Sequence, residues 1–293
     1  MFENLKNFIF KNIYKITKHS SKNPKIYSIE ETIDKIITDK VAVSRYGDGE
    51  FKWMANRNQQ SFQKNSPQLK NRLIEIIKTD EKNHIVCLTD VFGDLNQYTE
   101  EAKLWWEIFM GKFRYKWISF LKPGKDYYNT NITRPYMDYK DKENIGERFE
   151  LLKGIWNERN LLIIEGEKTR LGINNDLFDN ASSIKRILCP STNAFDKYDV
   201  IINSIKSSTT KNDLILIALG PTATILAYDL SLVGLQAIDI GHIDIEYEWY
   251  LMKSLQKVPI KGKYVNEASN LQDTAIEEND DPKYLNSIIL QIK

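Results

Sequence analysis

Cysteine and histidine are scarce: two and three residues in a chain of 293. Cys87 and Cys189 both sit in apolar runs, HIVCL and RILCP. They read as buried thiols of a reducing compartment and exclude a disulfide framework or a zinc site. No apolar run reaches the roughly 18 residues of a membrane-spanning helix. The opening MFENLKNFIFKNIYKITKHS is interrupted by Lys6, Lys11 and Lys15 and lacks a small-residue cleavage site, so no secretory signal is read and a cytoplasmic location is expected. An excess of either charge is missing too. Lys+Arg number 41 against 40 Asp+Glu, for a net charge of +1. Bulk polyanion binding is thereby excluded, and no nucleic-acid partner is expected.

What is present is the mix of a folded globular chain, 42% hydrophobic and 28% charged. Phe2, Leu5, Phe8, Ile9, Ile13 and Ile16 follow helical spacing among lysines. Residues 1–24 therefore form a basic amphipathic helix, which either packs on the main domain or makes peripheral contact with the cytoplasmic face of the membrane. From residue 25 the chain alternates. Strands are predicted at Val41–Val43, Ile85–Leu88, Leu161–Glu165, Arg186–Cys189, Leu214–Leu219 and Leu235–Ile240. Helices are predicted near 28–38, 50–56, 67–79, 99–113, 145–157, 196–207, 222–233 and 244–255. This pattern predicts an α/β fold: a Rossmann-like, doubly wound, mostly parallel sheet with helices on both faces. Residues 122–144 read as a long loop whose Tyr127, Tyr128, Tyr136 and Tyr139 could cover a site and stack on a bound ligand. One domain, 25–267, is the simplest division, with 268–293 as a C-terminal tail packing on it.

In an open parallel sheet, ligands bind beyond the carboxyl ends of the strands, so the residues that follow each strand carry the information. The first strand runs into Ser44-Arg45-Tyr46-Gly47-Asp48-Gly49-Glu50-Phe51. Two carboxylates one residue apart, with glycines that let the backbone bend, suit a hard divalent cation touching a diphosphate. Arg45 and the Gly47 turn are placed to take a phosphate oxygen. A solvated helix start accounts for the same residues without a metal. The strongest strand runs into Leu219-Gly220-Pro221-Thr222-Ala223-Thr224. Free N–H groups and the positive helix end favour a phosphate there, although a plain strand–helix turn with a threonine cap would look alike. This segment is neither G-x-G-x-x-G nor a P-loop, which disfavours NAD and ATP. The next strand ends in Asp239-Ile240-Gly241-His242-Ile243-Asp244-Ile245-Glu246-Tyr247-Glu248. Asp244 and Glu248 share a helix face, and either, or Glu246, is a candidate base, with His242 a ligand for oxygen or metal. An acidic helix start complementing the dipole explains Asp244 and Glu246 equally well. Arg170 could reach a phosphate or sugar and Asn193 a base or ribose; both also read as loop residues tied to backbone.

Taken together, Ser44–Phe51, Thr133-Arg134-Pro135-Tyr136, Glu165-Gly166-Glu167 with Arg170-Leu171-Gly172, Ala218–Ala223 and Asp239–Asp244 resemble the GT-D type glycosyltransferases, over about residues 25–267. The resemblance implies a Rossmann-like fold and a UDP-sugar donor. It also implies an Asp-x-Glu motif linked to Mn²⁺ or Mg²⁺, which falls on Asp48 and Glu50. The family activity is glucosyl transfer from UDP-glucose in glycoprotein assembly, and the family is frequent in bacterial surface-glycan loci. The implied partners are a glycan or glycoprotein acceptor and other glycosyltransferases. Rival expectations are a nucleotide-sugar diphosphate hydrolase and a non-catalytic nucleotide-sugar-binding scaffold.

Overall fold

The computed structural model describes residues 2–57, 62–265 and 281–293, without the side chains of residues 2–4. The 267/268 boundary of the expected tail lies outside the described residues. Five elements open the chain: α1 (Phe2–Thr17), α2 (Ile29–Asp39), β1 (Ala42–Tyr46), α3 (Asp48–Met54) and α4 (Pro67–Ile76). They are followed by β2 (His84–Leu88), α5 (Glu100–Ile118), β3 (Tyr128–Asn129), α6 (Ile145–Lys153), β4 (Asn160–Gly166) and β5 (Ser183–Cys189). The remainder is α7 (Tyr198–Ser208), β6 (Leu214–Ala218), α8 (Pro221–Ser231), β7 (Gln236–Asp239), α9 (Ile243–Leu251), α10 (Pro282–Ser287) and β8 (Ile288–Gln291).

The strands form one sheet in the order β3-β2-β1-β7-β6-β4-β5-β8, and every pairing is parallel. Burial on both faces shows in the alternation along single strands. Leu161, Ile163, Leu214 and Leu216 enter one core cluster, while Leu162, Ile164, Ile215 and Ile217 enter the other. A strand has a side-chain period of two, so these near-continuous apolar runs must be covered from both sides. One cluster is filled by α2, α6 and α9 through Ile33, Phe149 and Trp249, the other by α7 and α8 through Ile201, Ile205 and Leu226.

Local signals set the helix starts. Ser28 accepts from the Glu31 amide at 3.0 Å while Glu31 Oε2 accepts from the Ser28 amide at 2.7 Å, a reciprocal cap worth about 1 kcal/mol. Helix α1 packs on the domain: its Tyr14 is buried, and it crosses α5 where a Cβ on Gly111 would stand 2.0 Å from the Phe10 carbonyl oxygen. It leaves Leu5, Phe8, Ile9 and Ile16 exposed. No described helix is long and apolar enough to cross a membrane.

The reading of the tyrosines of 122–144 as sugar-stacking residues is corrected. Tyr127, Tyr136 and Tyr139 are buried, and Tyr128, on β3, stacks on Tyr27 with ring centroids 4.8 Å apart. Their rings are spent on the core. The segment supplies an edge strand and a 3₁₀ turn, Thr130–Thr133, and lines the cleft at the strand ends through other residues, Thr130, Asn131 and Arg134 among them. The late apolar piece near the C-terminus is a further edge strand, β8, against β5.

His84, at the start of β2, is buried. Its Nε2 lies 2.8 Å from Ser44 Oγ, which itself donates to the Thr224 carbonyl at 2.6 Å. Burial holds the imidazole down at about 3, so it is neutral when folded. The unfolded chain takes up that proton below its ordinary value near 6.5, so stability contributed above that pH is lost as pH falls through 6 and 5. Urea unfolding of wild type and His84→Gln at pH 7.5 and 5.0 checks this. The wild type should lose about 2 kcal/mol more than the variant between the two pH values.

Candidate active site

The loops after the strands meet in one cleft of about 1070 Å³. It lies beyond the carboxyl ends of the sheet, where the chain order turns back between β1 and β7. Gly47, Asp48 and Glu50 after β1 and Gly220 after β6 line it together, with Arg45, Asp239 and His242. The acidic turn and the glycine-led turn thus share one rim.

At the centre, Arg45 Nη1 lies 3.3 Å from Asp239 Oδ1, and Arg45 Nε donates to the Thr130 carbonyl at 3.3 Å. Asp239 Oδ2 accepts from Thr224 Oγ1 at 3.1 Å. The guanidinium packs directly over Gly241, where φ is +49° and a Cβ would stand 1.9 Å from Nη1. Gly220, at φ +54°, opens α8 in the same way: a Cβ there would meet the Phe62 ring at 2.4 Å.

Asp48 and Glu50 lie in the first turn of α3. Asp48 Oδ2 pairs with Lys52 Nζ at 2.6 Å. Glu50 Oε2 accepts from the Gly47 amide at 2.9 Å. Burial pushes the Glu50 carboxyl up to about 7, with the Asp239 charge adding to the rise and the Gly47 amide opposing it. Burial likewise raises Asp239 against the pull of Arg45. Carboxylates held in this way gain from an added cation.

Among the described residues no three His, Cys, Asp or Glu side chains form a protein-only metal cage. The donor set does fit a hard cation of the Mg²⁺ type. Such ions are held by one or two carboxylates and complete their shell with substrate phosphates. Asp48 and Glu50 would supply those two carboxylates.

The other expected residues divide. Asp244 touches the cleft but is buried. Its Oδ1 accepts from the Gly172 amide at 2.9 Å and from Asn175 Nδ2 at 2.8 Å, and its Oδ2 pairs with Lys263 at 2.8 Å. Glu248 lies off the cleft wall, with Oε1 2.7 Å from both Lys263 Nζ and Asn175 Nδ2. Glu246 accepts from the Tyr136 and Met137 amides at 3.0 and 2.8 Å, pinning that segment to α9. Arg170 donates to the Gly262 carbonyl at 2.9 Å. Asn193 Oδ1 accepts from the Lys64 amide at 2.8 Å. Both belong to loop scaffolding off the cleft wall, as do Pro221 and Thr222, buried in the start of α8.

Sequence reasoning missed Lys263, the buried cation between Asp244 and Glu248, because nothing local marks a lysine 15 and 19 residues from its partners. It assigned no role to Asp239, although the strand-end position marked that residue, or to Arg134, Lys168 and Trp105, which also line the cleft.

Residues 43–268 match the family described as the glycosyltransferase GT-D fold. The chain belongs to the GT-D glycosyltransferase family. It is 38% identical over 268 residues to a probable glycosyl transferase, Gly, of Streptococcus gordonii, covering 91% of this chain and 39% of that protein. It is 38% identical over 282 residues to the glycosyltransferase GlyD of Streptococcus pneumoniae serotype 4, covering 94% and 34%. The GT-D chain thus spans between a third and two fifths of the length of these relatives. A solved structure described as a new glycosyltransferase from Streptococcus sanguinis, at 39% identity, superposes with a TM-score of 0.87 over 92% of this chain and all of that one.

Lys263→Met would leave Asp244 and Glu248 buried together without their cation. Removing one partner of a buried charge network costs about 3 kcal/mol or more. Urea unfolding at pH 7.5 should show that loss, whereas a charge-removing change at exposed Lys253 should stay within about 0.5 kcal/mol.

Proposed function

We propose that this chain transfers a hexosyl group, glucose first among the candidates, from a UDP-sugar to a glycan or glycoprotein acceptor. The observation that carries the reading is the meeting of Asp48, Glu50, Arg45 and the Gly220 turn in one cleft at the switch point of the sheet. A nucleoside diphosphate needs just such a combination: a hard-oxygen pair for a cation, a fixed guanidinium, and a helix start aimed at the phosphates.

Asp48 and Glu50 would hold Mn²⁺ or Mg²⁺, which when bound supplies Lewis-acid charge to the leaving diphosphate. Arg45, fixed between Asp239 and the Thr130 carbonyl, holds its charge in place without reorganising as the diphosphate departs. Gly220, which lines the cleft at the N-cap of α8, brings the positive end of that helix to the same rim. A preorganised donor of this kind is worth about 3 kcal/mol. His242, at the cleft-lining N-cap of α9, is positioned to take the acceptor proton. Asp244 and Glu248, the other two candidates for acid–base work, act through Lys263 to hold α9 in place. The exposed α1 stripe with Lys6 and Lys15 beside it gives the reading a surface for peripheral contact with an anionic membrane.

A screen of UDP-, GDP- and dTDP-sugars with and without Mn²⁺ tests the proposal, read by nucleoside diphosphate release and thermal shift. Wild type should release UDP from one UDP-hexose in a metal- and acceptor-dependent way. Asp48→Asn and Glu50→Gln should each lower turnover by about 100-fold or more while remaining folded. Equal rates in these variants, with metal dependence retained, would overturn the assignment. Free hexose released at full rate without any acceptor would mark a hydrolase, and tight binding without turnover a scaffold.

A further inference from the structure

The amino-terminal half of α5 forms one wall of the cleft through Thr99, Glu101, Ala102, Trp105 and Trp106. The diphosphate account uses none of these residues. Trp105 is 44% exposed, an unusual state for a tryptophan on a cleft wall, and it is held firmly. Phe109 stacks against it with centroids 5.0 Å apart at 14°, and Trp106 meets it edge-on at 4.6 Å and 89°. One ring face is thus backed by Phe109, and the residue lines the cleft.

Two neighbours give the indole a chemical context. Glu101 lies four residues earlier on the same helix, so its exposed carboxylate and the ring share one face. Lys52, the ion-pair partner of Asp48, has its Nζ 6.0 Å from the Trp105 ring centroid. A single side chain therefore connects the acidic turn to the aromatic wall. A rigid, half-exposed indole with a carboxylate one turn away matches a pyranose: C–H groups on one face of the ring, hydroxyl donors around its edge. Joined to the acidic turn through Lys52 and unused by the diphosphate account, the wall suits the second sugar of the reaction.

We infer that Trp105 and Glu101 form the acceptor subsite, a platform for the pyranose that receives the transferred group. This rests on the transferase reading above and adds where the acceptor sits and which chemistry recognises it. Trp105 supplies the stacking surface, and Glu101 accepts from ring hydroxyls. Neither takes part in bond making.

The test uses the full chain and p-nitrophenyl β-glycosides of glucose, galactose and N-acetylglucosamine as acceptor probes. Binding is read by saturation-transfer NMR and turnover by UDP release. Wild type should bind at least one glycoside. Trp105→Ala should abolish its saturation transfer or raise the acceptor KM by about tenfold, with the KM for the UDP-sugar moving less than about twofold. Trp105→Phe should retain most of the binding, and Glu101→Gln should weaken it by a smaller factor. Binding of no glycoside, equal binding by wild type and Trp105→Ala, or a donor KM that rises as much as the acceptor KM would overturn the assignment. The NMR readout needs no turnover, so a chain that binds glycosides through Trp105 yet transfers nothing would refute the transferase reading and leave the subsite standing.

Discussion

The guanidinium of Arg45 lies across the gap between β1 and β7, gripped by Asp239 on one side and the Thr130 carbonyl on the other, with Gly241 directly beneath it. Three separate stretches of chain are locked there: the end of β1, the turn after β3 and the end of β7. The two strands belong to the two halves of the sheet, so this contact joins those halves at the point where the cleft opens. A side chain on Gly241 would occupy the place of Nη1, which would push the guanidinium away and open the α9 turn. The position of His242 and the neighbourhood of Glu50 both depend on this packing.

Carboxylates of the same type do different work according to what surrounds them. Asp244 and Glu248 share Lys263, and Glu165 is paired to Arg186 at 2.6 Å in a fully buried site. These pairs hold loops and α9 in register, and each has its countercharge built in. Glu50 and Asp239 share one guanidinium inside a cleft open to solvent, and burial raises both. What differs is access: Asp48, Glu50 and Asp239 line the cleft, whereas Glu165 and Glu248 lie off it and Asp244 is enclosed by the Gly172 amide, Asn175 and Lys263. That difference separates a ligand-seeking carboxylate from a structural one, and residue type or spacing alone does not reveal it.

The strand-end logic was legible because it depends only on local pattern. A buried apolar run followed by glycine and a polar turn marks a carboxyl-end loop wherever it occurs, and Gly47, Asp48, Glu50, Gly220 and His242 all arrived in the cleft that this predicts. Arg170 and Asn193 follow strands too, yet their side chains turn to the Gly262 carbonyl and the Lys64 amide. Both have positive φ, +54° in each case, which serves the turn and leaves the side chain free to tie down a neighbouring loop. The tyrosines of 122–144 looked like binding residues because the surrounding sequence is loop-like. In the fold that segment fills the edge of the sheet, and aromatic rings at an edge gain more from burial than from exposure.

Alternating apolar runs and helical periods determined the α/β class, the parallel sheet and the rim on which chemistry would sit, because strand direction and side-chain alternation are local properties. Which strand lies beside which was decided by tertiary structure: β7 enters between β1 and β6, bringing Asp239 and Gly241 against Arg45 from almost two hundred residues away. So was the fate of each charge. An ion pair such as Lys263 with Asp244 exists only when the closing segment folds back over α9, since a countercharge distant in the chain leaves no trace in the residues on either side.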